Sequence, residues 1–189
     1  TYLATVNTSL PSLPALTKIS VNGNRSCGIK SDKTVICWGS WGSGGSAAAI
    51  SGLSNVDNVS IGGDHGCALI NGGSIKCWGN NYYGQLGNGS TTSSTSAVSM
   101  SGISNATQVS SRSNYSCAVL DNNTIKCWGQ RTDGKLGNGT TGGTGSNDKS
   151  TSPVTVTGIS DAEQVSAGGS HTCALLTNGG IKCWGDNYH

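Results

Sequence analysis

Eight cysteines carry most of the reactive chemistry in this sequence, and they fall in pairs. Cys27/Cys37, Cys67/Cys77, Cys117/Cys127 and Cys173/Cys183 are each ten residues apart. A cysteine pair can hold a metal, cycle as a dithiol or form a structural disulfide. Zinc sites usually place paired ligands two to four residues apart, whereas nine residues separate each pair here. The short Cys-x-x-Cys of redox dithiols is absent. Disulfides fit the spacing and need an oxidising compartment; buried free thiols are the alternative. An even count at fixed spacing favours four disulfides. Each would close a short loop, worth about 2–3 kcal/mol by loop-closure arguments.

Other reactive residues form no set. His65 and His171 stand near cysteines in only two of the four pairs, so they complete no repeated metal site. They read as structural residues that bond backbone within their own unit. Glu163 is the only glutamate, and the aspartates sit mostly in turns, where an Asx-turn role suffices. With 29 serines, a serine near a histidine arises by chance. The Gly-Asn-Gly steps at Asn88 and Asn138 lack a following Lys-[ST] and read as turns, not phosphate cradles. No enzyme, cofactor or metal is expected.

The elements that position the cysteines are hairpins. In Ser116–Gly129, SCAVLDNNTIKCWG, two β-prone runs flank a polar centre. The cysteine midpoints fall on Asp32, Gly72, Asn122 and Asn178. A three-residue loop centred there sets the two cysteines directly opposite each other. Its third residue should be left-handed, which suits Gly73, Asn123 and Gly179, while Lys33 fits worse. The same register sets Val119 opposite Ile125, Leu69 opposite Ile75 and Leu175 opposite Ile181 on the cysteine face. Ala118, Leu120 and Trp128 take the other face. Both faces are apolar, so both should be covered, as in small sheets stacked radially.

Four such hairpins recur, each followed by Trp-Gly at Trp38, Trp78, Trp128 and Trp184, in steps of 40, 50 and 56 residues. One unit with loops of variable length explains this. The expected organisation is a single segment, 1–189, of repeat units near 1–50, 51–99, 100–155 and 156–189, the last truncated. The four recurring tryptophans are expected as core wedges between blades, leaving the unrepeated Trp41 as the surface aromatic.

Composition agrees. Gly, Ser, Thr and Asn number 30, 29, 19 and 17 of 189 residues, and poor helix formers at that density argue against long helices. Net charge is +2 with scattered Lys and Arg, which gives no footprint for nucleic acid. No apolar run approaches the ~20 residues of a membrane span. The expected fold class is all-β, a β-propeller of four-stranded antiparallel blades, with about four blades present.

Two stretches resemble a known family. Gly63-Asp64-His65-Gly66-Cys67-Ala68-Leu69 is followed by WGNNYYGQLGNG from Trp78, and Gly168-Gly169-Ser170-His171-Thr172-Cys173-Ala174-Leu175 repeats the first motif. The pattern resembles the regulator of chromosome condensation repeat, in a cysteine-paired form like secreted bacterial versions. The resemblance implies blades of four antiparallel strands, normally seven to a ring. Four units then suggest an incomplete sequence, or arcs that associate through their open blade ends.

The resemblance offers three roles. Nucleotide exchange on a nuclear GTPase fits poorly with disulfide-ready blades. A β-lactamase-inhibiting propeller of similar repeat implies contacts at Asn24, Arg25, Asp64, His65, Arg112 to Tyr115, Ser170 and His171. It also implies contacts after Trp-Gly, at Trp41, Tyr82, Tyr83, Arg131 and Tyr188. The third role is a surface-displayed binding or fibre module. The favoured expectation is a secreted or cell-surface (or periplasmic) non-enzymatic module for a protein or surface ligand. Its candidate loops carry Trp41, Tyr82, Tyr83, Arg112, Tyr115 and Arg131, since Trp, Tyr and Arg dominate binding hot spots.

Overall fold

A computed structural model describes residues 15–41, 45–142 and 148–188. The first sheet holds β1 (Leu16–Asn22), β2 (Arg25–Lys30), β3 (Val35–Gly39) and β4 (Gly45–Ala49). The second holds β5 (Val56–Ile61), β6 (His65–Ile70), β7 (Ser74–Gly79) and β8 (Ser94–Ser99). The third holds β9 (Ala106–Arg112), β10 (Tyr115–Leu120), β11 (Ile125–Gln130) and β12 (Lys149–Thr155). The fourth holds β13 (Ala162–Ala167), β14 (His171–Leu176) and β15 (Ile181–Gly185). Strands adjacent in sequence are adjacent in each sheet and antiparallel. The chain is thus a β-propeller segment of four blades, the fourth with three described strands. The only helical element among the described residues is a 3-10 turn at Thr132–Gly134, and no helix is long and apolar enough to cross a membrane.

The hairpin register is the one the cysteine spacing predicts. Cys27 faces Cys37, Cys67 faces Cys77, Cys117 faces Cys127 and Cys173 faces Cys183. Their Sγ–Sγ distances are 2.00, 2.19, 2.14 and 2.13 Å, so all four pairs sit at disulfide-bonding distance. Val119 faces Ile125, Leu69 faces Ile75 and Leu175 faces Ile181. The third loop residue is left-handed in every blade: φ is 64° at Lys33, 90° at Gly73, 61° at Asn123 and 82° at Gly179.

Lys33 therefore occupies a conformation its side chain disfavours. Asn123 shows a better solution, since its Nδ2 also donates to Ala162 O at 2.9 Å. Lys33→Asn should raise stability by about 0.5–1 kcal/mol, measured by urea denaturation. The exposed Lys33–Asp57 ion pair at 3.0 Å, which the change removes, contributes little. A fall in stability would show that the pair outweighs the turn strain.

Blades stack in a fixed sense, with the disulfide face of one against the tryptophan face of the next. Cys27, Ile29, Val35 and Cys37 pack on Val59, Ile61 and Trp78. Cys67, Leu69, Ile75 and Cys77 pack on Val109, Ala118 and Trp128. Cys117, Val119, Ile125 and Cys127 pack on Val165, Ala174 and the half-buried Trp184. Polar links repeat in the same register. The loop carbonyls of Lys33, Gly73 and Asn123 accept from the backbone N–H of Val56, Ala106 and Ala162. Ser20, Ser60 and Ser110 hydroxyls accept from the N–H of Ile61, Ser111 and Ala167. Each link satisfies an inner-strand donor that has no partner within its own sheet.

The tryptophans confirm the wedge reading with one correction. Trp78 and Trp128 are fully buried, but Trp38 is only half-buried, since among the described residues no blade lies against its face. Trp128 Nε1 donates to Gln85 O at 2.8 Å, and Trp184 Nε1 to Lys135 O at 2.9 Å. Trp78 Nε1 has no hydrogen-bond partner among the described residues. The first unit lacks the Gly-x-Leu-Gly-Asn-Gly loop that would supply the carbonyl, and Trp41 fills the space, its ring centroid 6.1 Å from that of Trp78.

Candidate interaction rim

Strand ends put the candidate loops on one rim of each blade. Tyr115 pairs with Arg112 on one side and Gly129 on the other, and Gly129 pairs with Ser150. The β9–β10 turn and the loop after Trp128-Gly129 therefore leave the blade together. The β5–β6 turn and the loop after Trp78-Gly79 do likewise, since His65 pairs with Gly79.

The loop of the second blade is built around buried side chains. Asn81, fully buried, donates from Nδ2 to Ser90 O and Thr92 O at 3.0 Å and accepts from Leu86 N at 2.9 Å. Asn80 Oδ1 accepts from Tyr82 N, and Gln85 Oε1 from Tyr83 N. These bonds fix the backbone under the two tyrosines. Tyr82 is 52% exposed, and its ring meets Tyr83 edge-on at 5.0 Å. Lys149 of the third blade holds its ammonium 5.4 Å from the Tyr82 ring. The aromatic pair thus joins two blades in one surface, with Tyr82 exposed and Tyr83 and Lys149 half-buried. Lys149 was not visible as a site residue in the sequence, because a loop of variable length separates it from Trp128.

In the third blade the same loop positions are occupied by charges. Arg131 stands where the second blade has Asn81, and Lys135 where it has Gln85. Arg131 Nε binds Asp148 Oδ1 at 2.7 Å, and that carboxylate is 3% exposed. Arg131 is therefore an anchor of the loop rather than a surface arginine. Lys135 is buried, and burial pushes its ammonium pKa down against the opposing pull of Asp133, Asp148 and Asp186. In the first blade Trp41 is half-buried on Trp78 with the Arg25 guanidinium 5.4 Å from its ring. Trp41 is packed against the core on one side and is not a free-standing surface aromatic. The stretch 42–44 lies outside the described residues.

In the first three blades the residue that opens the second strand reaches toward the next blade. Arg25 Nη1 donates to Gly63 O, and its Nη2 lies 2.5 Å from Asp64. His65 Nε2 shares a hydrogen bond with Ser116 Oγ at 2.8 Å. Tyr115 Oη donates to His171 O at 2.6 Å and lies 3.0 Å from Thr172 Oγ1. Tyr115 is fully buried and offers no contact surface. Arg112, three residues earlier, is exposed. Tyr115 is thereby removed from the candidate set, because a neighbouring blade, invisible to spacing within one unit, covers it. The same cause corrects His65, which bonds across blades and not to backbone within its own. His65 and Ser116 resemble a catalytic couple only in distance: both are fully buried, so no substrate reaches them.

Burial pushes the His65 imidazole down to about 3. The unfolded chain titrates near 6.5, so below that pH it binds a proton that the folded state refuses. Stability from this group is complete above about 6.5 and is lost as pH falls toward 3. His65→Gln should flatten that part of the pH profile, read from urea midpoints of both proteins between about pH 7 and 4. Parallel profiles would contradict it.

Comparison with known families now decides the lineage. A model of the regulator of chromosome condensation (RCC1) repeat matches residues 73–119 and 127–175, and a second model of that repeat matches 56–85 and 162–189. The chain belongs to the RCC1 repeat family. Solved structures agree on the fold. Prp20p from Saccharomyces cerevisiae superposes with a TM-score of 0.78 at 16% identity, over 94% of this chain and 47% of its own. Human WBSCR16 gives 0.78 at 19%, over 90% and 47%. The ectodomain of the Physcomitrella patens receptor kinase CR4 gives 0.62 at 24%, over 93% and 43%. The RCC1-repeat chain spans about half the length of these structures. Among curated proteins no sequence match is found. As an RCC1-type propeller the chain has the architecture of a protein-interaction module.

Proposed function

We propose that this RCC1-repeat chain is a non-enzymatic module of an oxidising, extracellular or cell-surface compartment. It binds a protein or surface ligand through the rim carrying Tyr82, Tyr83, Arg112 and Lys149. The observation that carries this reading is the Tyr82–Tyr83 pair, Tyr82 exposed and Tyr83 half-buried, on a backbone held by buried Asn81 and Gln85. A rigid aromatic pair offers contact area at little entropic cost, and loops on a packed scaffold are where recognition usually sits. Four cysteine pairs at disulfide distance support the oxidising compartment. Similar folds are consistent with both parts: Prp20p was studied for binding to Gsp1p and histones, and CR4 contributes a receptor ectodomain.

The test is affinity for a native partner. Tyr82→Ala, Tyr83→Ala and Arg112→Ala combined should weaken binding at least tenfold, about 1.4 kcal/mol, with thermal melting little changed. Trp41 and Arg131 are kept, because both hold structure. Unchanged affinity in the folded triple variant would move the working surface elsewhere.

A further inference from the structure

Five Asn-Gly steps occur in the sequence, at Asn22, Asn71, Asn88, Asn138 and Asn178. Such a step can react with itself, because the glycine nitrogen lies within reach of the asparagine Cγ and no side chain obstructs the approach. Four of the five are tied down. Gly89 N–H donates to Thr151 O and Gly179 N–H to Leu176 O, both at 2.9 Å. Asn22 Nδ2 donates to Ile61 O at 3.2 Å, and Asn138 Oδ1 accepts from Thr140 Oγ1 at 2.7 Å. Asn71 differs. Both it and Gly72 are exposed, and a Cβ at Gly72 would meet nothing within 4 Å. Among the described residues neither the Asn71 carboxamide nor the Gly72 N–H has a hydrogen-bond partner.

The β6–β7 turn lacks a brace that the other three hairpins share. At the middle loop position, Oδ1 of Asp32, Asn122 and Asn178 accepts from the N–H of Thr34, Thr124 and Gly180 at 3.0, 3.2 and 2.8 Å. Gly72 holds that place in the second blade and offers no side chain. Its φ is 93°, next to Gly73 at 90°. Two adjacent left-handed glycines leave the backbone here the freest of the four turns.

We propose that Asn71 is a site of spontaneous deamidation and that the fold accepts its aspartate product. The Gly72 nitrogen gives up its proton to water and attacks Asn71 Cγ. A C–N bond forms, and the carboxamide nitrogen leaves as ammonia. Water then opens the succinimide at either carbonyl, giving aspartate or isoaspartate. One water is consumed, one ammonia is released, and nothing is oxidised or reduced. The third blade shows how the aspartate is held. Asp121 occupies the place of Asn71, and their N–H groups donate to Asn105 O and Asn55 O. Asn105 Nδ2 also donates to Asp121 Oδ1, and Asn55 stands where Asn105 does. A carboxylate at position 71 therefore gains Asn55 as its donor. Isoaspartate instead adds a carbon to the main chain beside Gly73, whose carbonyl accepts from Ala106 N–H across the blade interface. That product loosens the second blade from the third.

The test is timed incubation of the native, unreduced chain in mildly alkaline buffer, with peptide mapping of all five steps. Asn71 should convert at least about tenfold faster than Asn88 or Asn178, the rate equivalent of roughly 1.4 kcal/mol and the size of the one hydrogen bond those glycines must first break. In the reduced chain unfolded in urea the rates should draw together, because the fold and not the local sequence sets the order. Asn71→Asp should melt no lower than wild type, and the isoaspartate form, separated by chromatography, should melt lower. Equal rates at Asn71, Asn88 and Asn178 in the folded chain overturn the proposal, and so does an order that persists on unfolding. An Asn71→Asp variant that melts below wild type overturns the accommodation of the product.

Discussion

Trp128→Ala should lower the stability of this protein by about 3–5 kcal/mol, the range of large aromatic truncations in cores. The indole is fully buried between the second and third blades, against Met100 and the Cys67/Cys77 face. Close packing extends to the loop: a Cβ at Gly87 would come within 3.0 Å of the Trp128 ring. Part of the loss is polar, because Gln85 O loses its indole donor. Trp78 provides an internal control, being equally buried but with no partner for its Nε1 among the described residues. Trp128→Phe should therefore cost about 1 kcal/mol more than Trp78→Phe, the usual worth of one buried hydrogen bond. Urea denaturation of the wild type and the three variants measures both effects. Melting of Trp128→Ala close to wild type would refute the wedge.

The second large effect concerns the cysteines. Replacing Cys117 and Cys127 together by Ala should cost about 3 kcal/mol from loop closure alone, and more from lost packing. Both are fully buried in the cluster that joins the third and fourth blades. The first pair differs only in its neighbours, so Cys27→Ala with Cys37→Ala should fall in the same range. In the fourth blade, where Cys183 is exposed and Cys173 half-buried, the same double change should cost the closure part only. A gradient of that kind, read from midpoints under non-reducing conditions, separates the covalent contribution from the packing contribution. Equal losses at all sites would deny that the third disulfide is part of a core.

Spacing alone revealed the central hairpin of each unit. Ten residues about a turn centre fix the hairpin register, and with it the faces of Val119, Ile125 and Trp128. What depends on two units was hidden. Tyr115 and Arg112 look alike in sequence as rim residues, yet a neighbouring blade covers one and leaves the other exposed. Trp41 looks like an isolated surface aromatic, but the first unit lacks the Leu-Gly-Asn-Gly loop that shields Trp128, and Trp41 takes over its place against Trp78. Arg131 looks variable because it replaces Asn81. Its partner Asp148 is seventeen residues away across a loop of different length, where alignment of units gives no guide. Lys149 joins the Tyr82 patch for the same reason. The signal that could have found them was the charge pattern: an Arg and a Lys at loop positions held elsewhere by Asn and Gln imply a nearby acid.

The account stands on blades that are each closed by their own cysteine pair and stacked disulfide face to tryptophan face. Peptide mapping of the native protein without reduction tests this most directly. It should yield four links, 27–37, 67–77, 117–127 and 173–183, and little free thiol. Links between cysteines of different blades, or free thiols at most of the eight positions, would contradict it.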